Sequence, residues 1–154
     1  MTIIKQGEAT LKNGQADDPL GQYSAELISD TGGLTQFGAL VEELPPGSAS
    51  SFDHWHAHED EMIYVLEGTP TVREDGKETR LAAGDAVCWP AGSQIAHCLF
   101  NETDRPVRYL VIGTRAPRDV VTYPLHNRQL TLDRQTAERV YTTLDGRPAS
   151  KPLP

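Results

Sequence analysis

From Gln36 onward the sequence is a succession of short strand-like runs broken by turn signals, and this rhythm restricts the chain to an all-β sandwich or barrel. The runs are Phe37–Leu44, Met62–Glu67, Thr69–Glu74, Lys77–Ala82, Ala86–Trp89, Ala96–Phe100 and Val107–Gly113. Glu74-Asp75-Gly76-Lys77 is a hairpin turn, because Asp-Gly accepts the positive φ angles of a type I′ turn. Ala83-Gly84-Asp85 and Pro90-Ala91-Gly92 mark two further reversals. Residues 1–35 are polar and rich in Gly and Asp, with a strand expected over Tyr23–Ser29 and a turn at Asp30–Gly33. No helical periodicity lasts three turns, and the one short helix expected is Asp133–Val140. The tail from Pro117 carries five prolines and reads as an extended arm wrapped on the domain or on a neighbouring subunit.

A chain of 154 residues with 38% hydrophobic side chains supports one compact core and terminal arms. No apolar stretch approaches the roughly 18 residues of a membrane span. The start, MTIIKQGEAT, has no apolar signal core, so the expected location is cytoplasmic. Cys88 and Cys98 do not make a disulfide framework and read as small buried hydrophobes. Net charge is −8, and residues 1–60 hold only two basic side chains, Lys5 and Lys12, against ten acidic ones. Such a surface repels polyanions, so nucleic acid is excluded as an expected partner. A small anionic substrate is compatible with it, since a few basic groups in a pocket outweigh a distant acidic face.

Three of the five histidines fall within five residues, at His54, His56 and His58. Side chains at i and i+2 of a strand point to one face, so His54 and His56 converge. Glu61 has the opposite parity, but the polar stretch 57–60 lets the count restart there. Glu61, Ile63 and Val65 then share one face and Met62, Tyr64 and Leu66 the other. Further along, a strand framed by Gly84 and Pro90-Ala91-Gly92 leads into Ala96-His97-Cys98-Leu99-Phe100-Asn101, where His97 shares a face with Leu99.

These residues resemble the two motifs of the cupin family. His54-Trp55-His56, four residues, Glu61, six residues and Gly68 match the first motif; Gly84, five residues, Pro90-Ala91-Gly92, His97 and Asn101 match the second. Six residues separate Gly47 from His54 where five is usual, and four separate Gly92 from His97 where two is usual. Both additions fall in turns, where insertions are tolerated. The motifs cover residues 47–101, and the flanking strands extend the likeness from about Gln36 to Gly113.

The resemblance implies a double-stranded β-helix of jelly-roll type, a cupin barrel at 36–113 with an extended N-terminal arm at 1–35 and a C-terminal arm at 114–154. It also implies one divalent metal ion per chain, held by His54, His56, Glu61 and His97. Without an ion, each unsatisfied buried polar group costs about 1–3 kcal/mol, against a total stability of roughly 5–15 kcal/mol. Three imidazoles and a carboxylate suit Fe, Mn, Ni, Co or Zn in the divalent state, not sulfur-seeking Cu(I). Four protein donors in an octahedral arrangement leave two positions for solvent or substrate, as in catalytic sites. His58 is expected as a loop or supporting histidine, His126 on the surface, Tyr64 and Trp89 as core or interface aromatics, and Asn101 as a turn-fixing residue. No catalytic residue is assigned from the sequence. The function expected is a metalloenzyme acting on a small polar molecule, as a sugar-like isomerase or lyase or as an oxygenase. The alternative is a non-catalytic cupin that binds or stores a small ligand. Exposed sheet edges and an apolar outer face predict a homodimer.

Overall fold

The structure is a computed structural model that describes residues 1–15 and 17–152, and its regular secondary structure is almost wholly strand. The strands are β1 (Thr10–Asn13), β2 (Ser24–Leu27), β3 (Phe37–Leu44), β4 (Trp55–His56), β5 (Glu61–Glu67), β6 (Thr71–Glu74) and β7 (Lys77–Arg80). They continue as β8 (Ala86–Trp89), β9 (His97–Phe100), β10 (Val107–Thr114), β11 (Arg118–Tyr123), β12 (Arg128–Asp133) and β13 (Glu138–Thr142). One six-stranded sheet has the order β1-β2-β3-β10-β5-β8. Opposite it lie a three-stranded sheet, β7-β6-β9, and a four-stranded sheet, β13-β12-β11-β4. An antiparallel bridge between His54 and His97 stitches these two together. The result is the double-stranded β-helix. No helix of the described residues is long and apolar enough to cross a membrane.

Alternation along the strands decides what lies inside. Ile63 and Val65 of β5 are buried, while Tyr64 and Leu66 are 40% and 43% exposed. Leu44, Val72, Leu99, Val107 and Tyr109 meet them from the other strands. The outward face of the large sheet is also apolar. Its cross-strand rows read Ala39, Ile112, Met62, Cys88 and Val41, Leu110, Tyr64, Ala86. Cys88 is therefore exposed, which corrects its expected burial; Cys98, one position out of phase on β9, is buried as expected.

The turns follow the residues that permit them. Asp75 and Gly76, with φ of 46° and 77°, close the hairpin in which Glu74 pairs with Lys77. Gly68 has φ +85°, and a Cβ there would lie 2.7 Å from Val107 Cγ1. Left-handed backbone alone costs a non-glycine residue about 1–2 kcal/mol, and the clash adds to it. Gly68→Ala should therefore lower the melting temperature by about 4 °C or more, read by circular dichroism; an unchanged melting temperature would show that the β5–β6 turn relaxes freely.

Two expectations are revised. The short helix expected at Asp133–Val140 is absent, and β12 and β13 form a hairpin instead. Asp133 Oδ1 accepts the backbone N–H groups of Gln135 and Thr136, and Ala137 takes φ 58°, so the chain reverses after one turn. The expected strand Tyr23–Ser29 ends at Leu27 and gives way to a single helical turn, Ile28–Thr31. The tail from Pro117 runs as β11, β12 and β13 along the small layer; Pro154, the last of its five prolines, lies outside the described residues.

Candidate metal centre

His54 sits where the two smaller sheets meet. Its backbone N–H donates to His97 C=O at 3.1 Å, and His97 N–H donates back at 2.9 Å. Residues that exchange both bonds in an antiparallel pair put their side chains on the same face, and the two rings lie 5.1 Å apart. His56, two residues on, pairs with Val121 of β11 and points the same way. Glu61 opens β5 in the facing sheet. Its Oε2 lies 3.5 Å from His56 Nε2, 3.8 Å from His97 Nε2 and 3.9 Å from His54 Nε2. The four residues singled out in the sequence are thus brought together. His58 is not among them: its side chain is 58% exposed and turned towards Asp119. His126 lies against the ring of Phe52, 4.2 Å away.

Each imidazole is held by its other nitrogen. His54 Nδ1 lies 3.0 Å from Phe52 C=O and from Ser51 Oγ, and His97 Nδ1 lies 3.1 Å from Ile95 C=O. His56 Nδ1 lies 2.6 Å from Asp119 Oδ2. A carbonyl or carboxylate only accepts, so Nδ1 carries the proton in all three rings and the Nε2 lone pair faces Glu61. Trp89 fixes the plane of His97, stacked at 3.8 Å and 5°, and is itself anchored by Nε1–H donating to Glu74 Oε1 at 2.6 Å. Asp119 is wholly buried, and its second oxygen accepts His58 N–H at 2.9 Å. Glu59, close to His56 and Asp119, is neutralised by a two-pronged ion pair with Arg134.

The electrostatics favour a cation. Burial pushes His54 down to about 4, so it is neutral at ordinary pH. Burial alone would lower His56 as well, but the Asp119 hydrogen bond and the Glu61 charge outweigh it and raise it above the usual histidine range. Burial alone would raise Glu61, yet the three imidazoles together hold it below the usual carboxylate range.

The donors fit a metal ion. His97 Nε2 is a buried nitrogen with no hydrogen-bond partner, which is costly unless something electron-poor occupies the space before it. Donors about 2.1 Å from an ion lie about 3.0–4.2 Å from one another, and the three separations from Glu61 Oε2, 3.5–3.9 Å, fall in that span. The donors of His54, His56 and Glu61 all lie within 4.8 Å of one another, and His97 joins them through Glu61. Asp119, Ser51, Trp89 and the Glu59–Arg134 pair were not legible in the sequence, since Asp119 lies 63 residues from the ring it orients. Asn101 does what its place in the motif suggested. Its amide donates to Leu44 C=O and Arg105 C=O, and its oxygen accepts from Thr103, which closes the turn before β10.

A cavity of about 440 Å³ opens beside the cluster. Ser51, Phe52 and Tyr123 line it, and all three touch or stack near His54. Its rim comes from both chain termini, with Lys12 from β1 and Lys151 from the tail.

Known proteins share this fold. A crystal structure described as a sugar phosphate isomerase of the cupin superfamily from Silicibacter pomeroyi superposes with TM-score 0.88 at 29% identity, over 97% of both chains. One from Acidithiobacillus ferrooxidans, which bears that activity name in qualified form, superposes with TM-score 0.81 at 26% identity, over 95% of this chain and 91% of that one. The tetracenomycin polyketide synthase protein TcmJ of Streptomyces glaucescens is 34% identical over 99 residues. That match spans 64% of this chain and 64% of the relative, so the chain covers less than two thirds of it. The cupin domain family matches residues 40–113, the stretch that holds all four convergent side chains. The chain belongs to the cupin superfamily.

Proposed function

We propose that this protein is a metal-dependent enzyme that isomerises a small polyhydroxylated substrate of the sugar phosphate class, with one divalent ion held by His54, His56, Glu61 and His97. The observation that carries the metal is the convergence of three Nε2 lone pairs on Glu61 Oε2, one of them on a buried nitrogen with no protein partner. The isomerase reading draws on the full-length likeness to the Silicibacter pomeroyi protein, which extends over both termini and not only over the barrel. A bound divalent ion would supply Lewis acidity towards a hydroxy-carbonyl group. The chain's own residues do the rest. Asp119 and the Phe52 and Ile95 carbonyls hold the Nδ1 side of each imidazole and so aim its Nε2 at the site. Trp89 and Phe52 supply apolar surface beside them, and the two termini wall the cavity.

The test is the metal content of the purified protein by mass spectrometry, followed by NMR of sugar phosphates incubated with the metal-loaded protein. About one ion per chain and steady conversion of an aldose phosphate into its ketose are expected. A loaded protein that saturates with ligand and converts nothing is the non-catalytic binder. A metal-free protein whose stability does not respond to added Mn, Fe, Co, Ni or Zn would sink the metal reading.

The same proposal includes a cytoplasmic homodimer built on the apolar rows of the large sheet, where Met62, Cys88, Pro90 and Ile112 line a shallow hollow. Light scattering at micromolar concentration should report twice the chain mass, and Tyr64→Lys should shift it to the monomer. A wild-type monomer would refute the interface.

A further inference from the structure

Among the described inward-facing residues of the large sheet, one carboxyl group besides Glu61 belongs neither to the convergent cluster nor to its supports. Glu42 lies on β3 opposite Tyr109 of β10, which in turn lies opposite Val65 of β5. Tyr109 is wholly buried and its hydroxyl donates to Glu42 Oε1. Glu42 is half-buried and lines the cavity whose wall also holds Ser51, Phe52 and Tyr123, the three residues beside His54. A carboxyl group on the core side of a barrel carries a desolvation cost that an apolar residue would avoid. Here it is fixed by a buried phenol and aimed at a space large enough for a small molecule.

The cavity also has an asymmetric charge pattern. Lys12 is one of two basic residues in the first sixty, and it stands at the rim with Lys151. Asp18 is the opposing charge, and one of its oxygens already accepts the Leu20 N–H at 2.9 Å. Tyr23, Tyr123, Tyr141, Ser50 and Ser51 contribute hydroxyls to the wall. Two ammonium groups, several hydroxyls and a carboxyl group around one cavity describe a site for a small polyol with an anionic group.

We propose that Glu42 is the proton-transfer residue of this cavity, and that the cavity takes a phosphorylated sugar whose charged end lies between Lys12 and Lys151. The inference rests on the isomerase reading above and names the group that moves the proton. The ionised Glu42 carboxylate takes the proton from the carbon next to the substrate carbonyl. The C–H electron pair forms the new C=C bond, and the carbonyl π pair moves onto its oxygen, which takes up the neighbouring hydroxyl proton. Glu42 then returns its proton to the former carbonyl carbon, and the carbonyl has moved by one position. Nothing is oxidised overall and no co-reactant is needed.

The protonation state suits the task. Burial pushes Glu42 up to about 7; the Tyr109 hydrogen bond and the Lys12 charge oppose that rise, and the Glu61 charge adds to it. Asp18, Lys151, Tyr23, Tyr123 and Tyr141 are the other titratable groups around the cavity. Both forms of Glu42 are then populated near neutral pH, which is what a residue that takes and returns a proton requires.

The test uses the full chain loaded with Mn(II) or Zn(II), and ribose 5-phosphate and glucose 6-phosphate as probes. Binding is read by titration calorimetry, with unphosphorylated ribose and glucose for comparison, and proton transfer is read by NMR as exchange of the C2 hydrogen for deuterium in heavy water. Glu42→Gln keeps an acceptor for the Tyr109 hydroxyl and nearly the same shape, so the fold should survive. It should slow exchange at least ~100-fold, with metal content and sugar phosphate affinity unchanged. The Lys12→Gln/Lys151→Gln double variant should weaken sugar phosphate binding about tenfold or more and leave binding of the uncharged sugar as it was. Exchange at the wild-type rate in Glu42→Gln overturns the proton-transfer role and leaves the isomerase reading standing. Equal affinity of the double variant and wild type overturns the anionic end. If wild-type protein and His97→Ala take up metal alike, the metal reading itself fails, and that outcome is separate from both others.

Discussion

The thermal stabilisation that a divalent ion gives the wild-type protein should vanish in His97→Ala. An ion that binds only the folded barrel stabilises it by mass action, about 2.7 kcal/mol at a hundred times the dissociation constant. In a chain of this length that is about 5–10 °C in melting temperature. His97 is 3% exposed at its side chain and stacked on Trp89, so its truncation also leaves a hole in the core. The quantity to compare is therefore the metal-induced shift within each protein, which is insensitive to that hole. A shift of equal size in the variant would show the ion binding elsewhere, at His58 or His126.

The shift should also depend on pH, and the signs follow from the individual histidines. His54 titrates near 6.5 in the unfolded chain and near 4 when folded, because of its burial. Across that window the unfolded chain binds a proton that the folded one refuses, so stability falls as pH drops from about 6.5 towards 4. Glu61, held low by the imidazoles although burial works against them, adds a loss in the same direction once pH falls below its unfolded value. His56 has the opposite sign: its folded value is raised, so the stability it contributes is present in acid and lost as pH rises through that value. For the same reason His56 takes a proton before His54 does. The metal-induced shift should be full at pH 8 and fade through mild acid, and Glu61→Gln should abolish it at both ends.

Asp119→Asn should weaken metal binding by about 10–100-fold without touching a ligand. Asp119 accepts two hydrogen bonds, from His56 Nδ1–H and from the His58 backbone N–H. An asparagine offers one oxygen and one NH₂ group. The backbone N–H of His58 cannot become an acceptor, so both contacts survive only if His56 changes tautomer and receives a hydrogen bond at Nδ1. Its proton then sits on Nε2, the nitrogen that faces Glu61 at 3.5 Å, and no lone pair is left there for an ion. Competition with a chromogenic chelator measures the affinity directly. Unchanged affinity would mean that the His56 ring is held by its backbone position alone.

The sequence carried the strands between Phe37 and Gly113, their inside and outside faces and the residues that converge, because those depend on local periodicity and on turn chemistry. The tail, expected as an extended arm, pairs instead as β11, β12 and β13. The i, i+2 spacing of His54 and His56 put both on one face, and the break at residues 57–60 let Glu61 join the other wall of the barrel. Glycines and Asp-Gly placed the reversals because few other residues tolerate those φ angles. Pairing across the barrel was a different matter. A period of two tells which face a side chain takes and says nothing of which strand lies opposite, or in what register. Asp119 meets His56 across 63 residues and Tyr109 meets Glu42 across 67; no local pattern marks either pair. The stacking of Trp89 on His97 depends likewise on how two strands of opposite sheets close over the core. At Asp133–Val140 a short polar segment had helical spacing, yet pairing with β12 satisfied more backbone groups than one isolated helical turn does. Local sequence thus determined the donors of the site. Their tautomers, their pKa values and the cavity beside them were decided by long-range register, since each depends on groups that only the closed barrel brings within hydrogen-bonding distance.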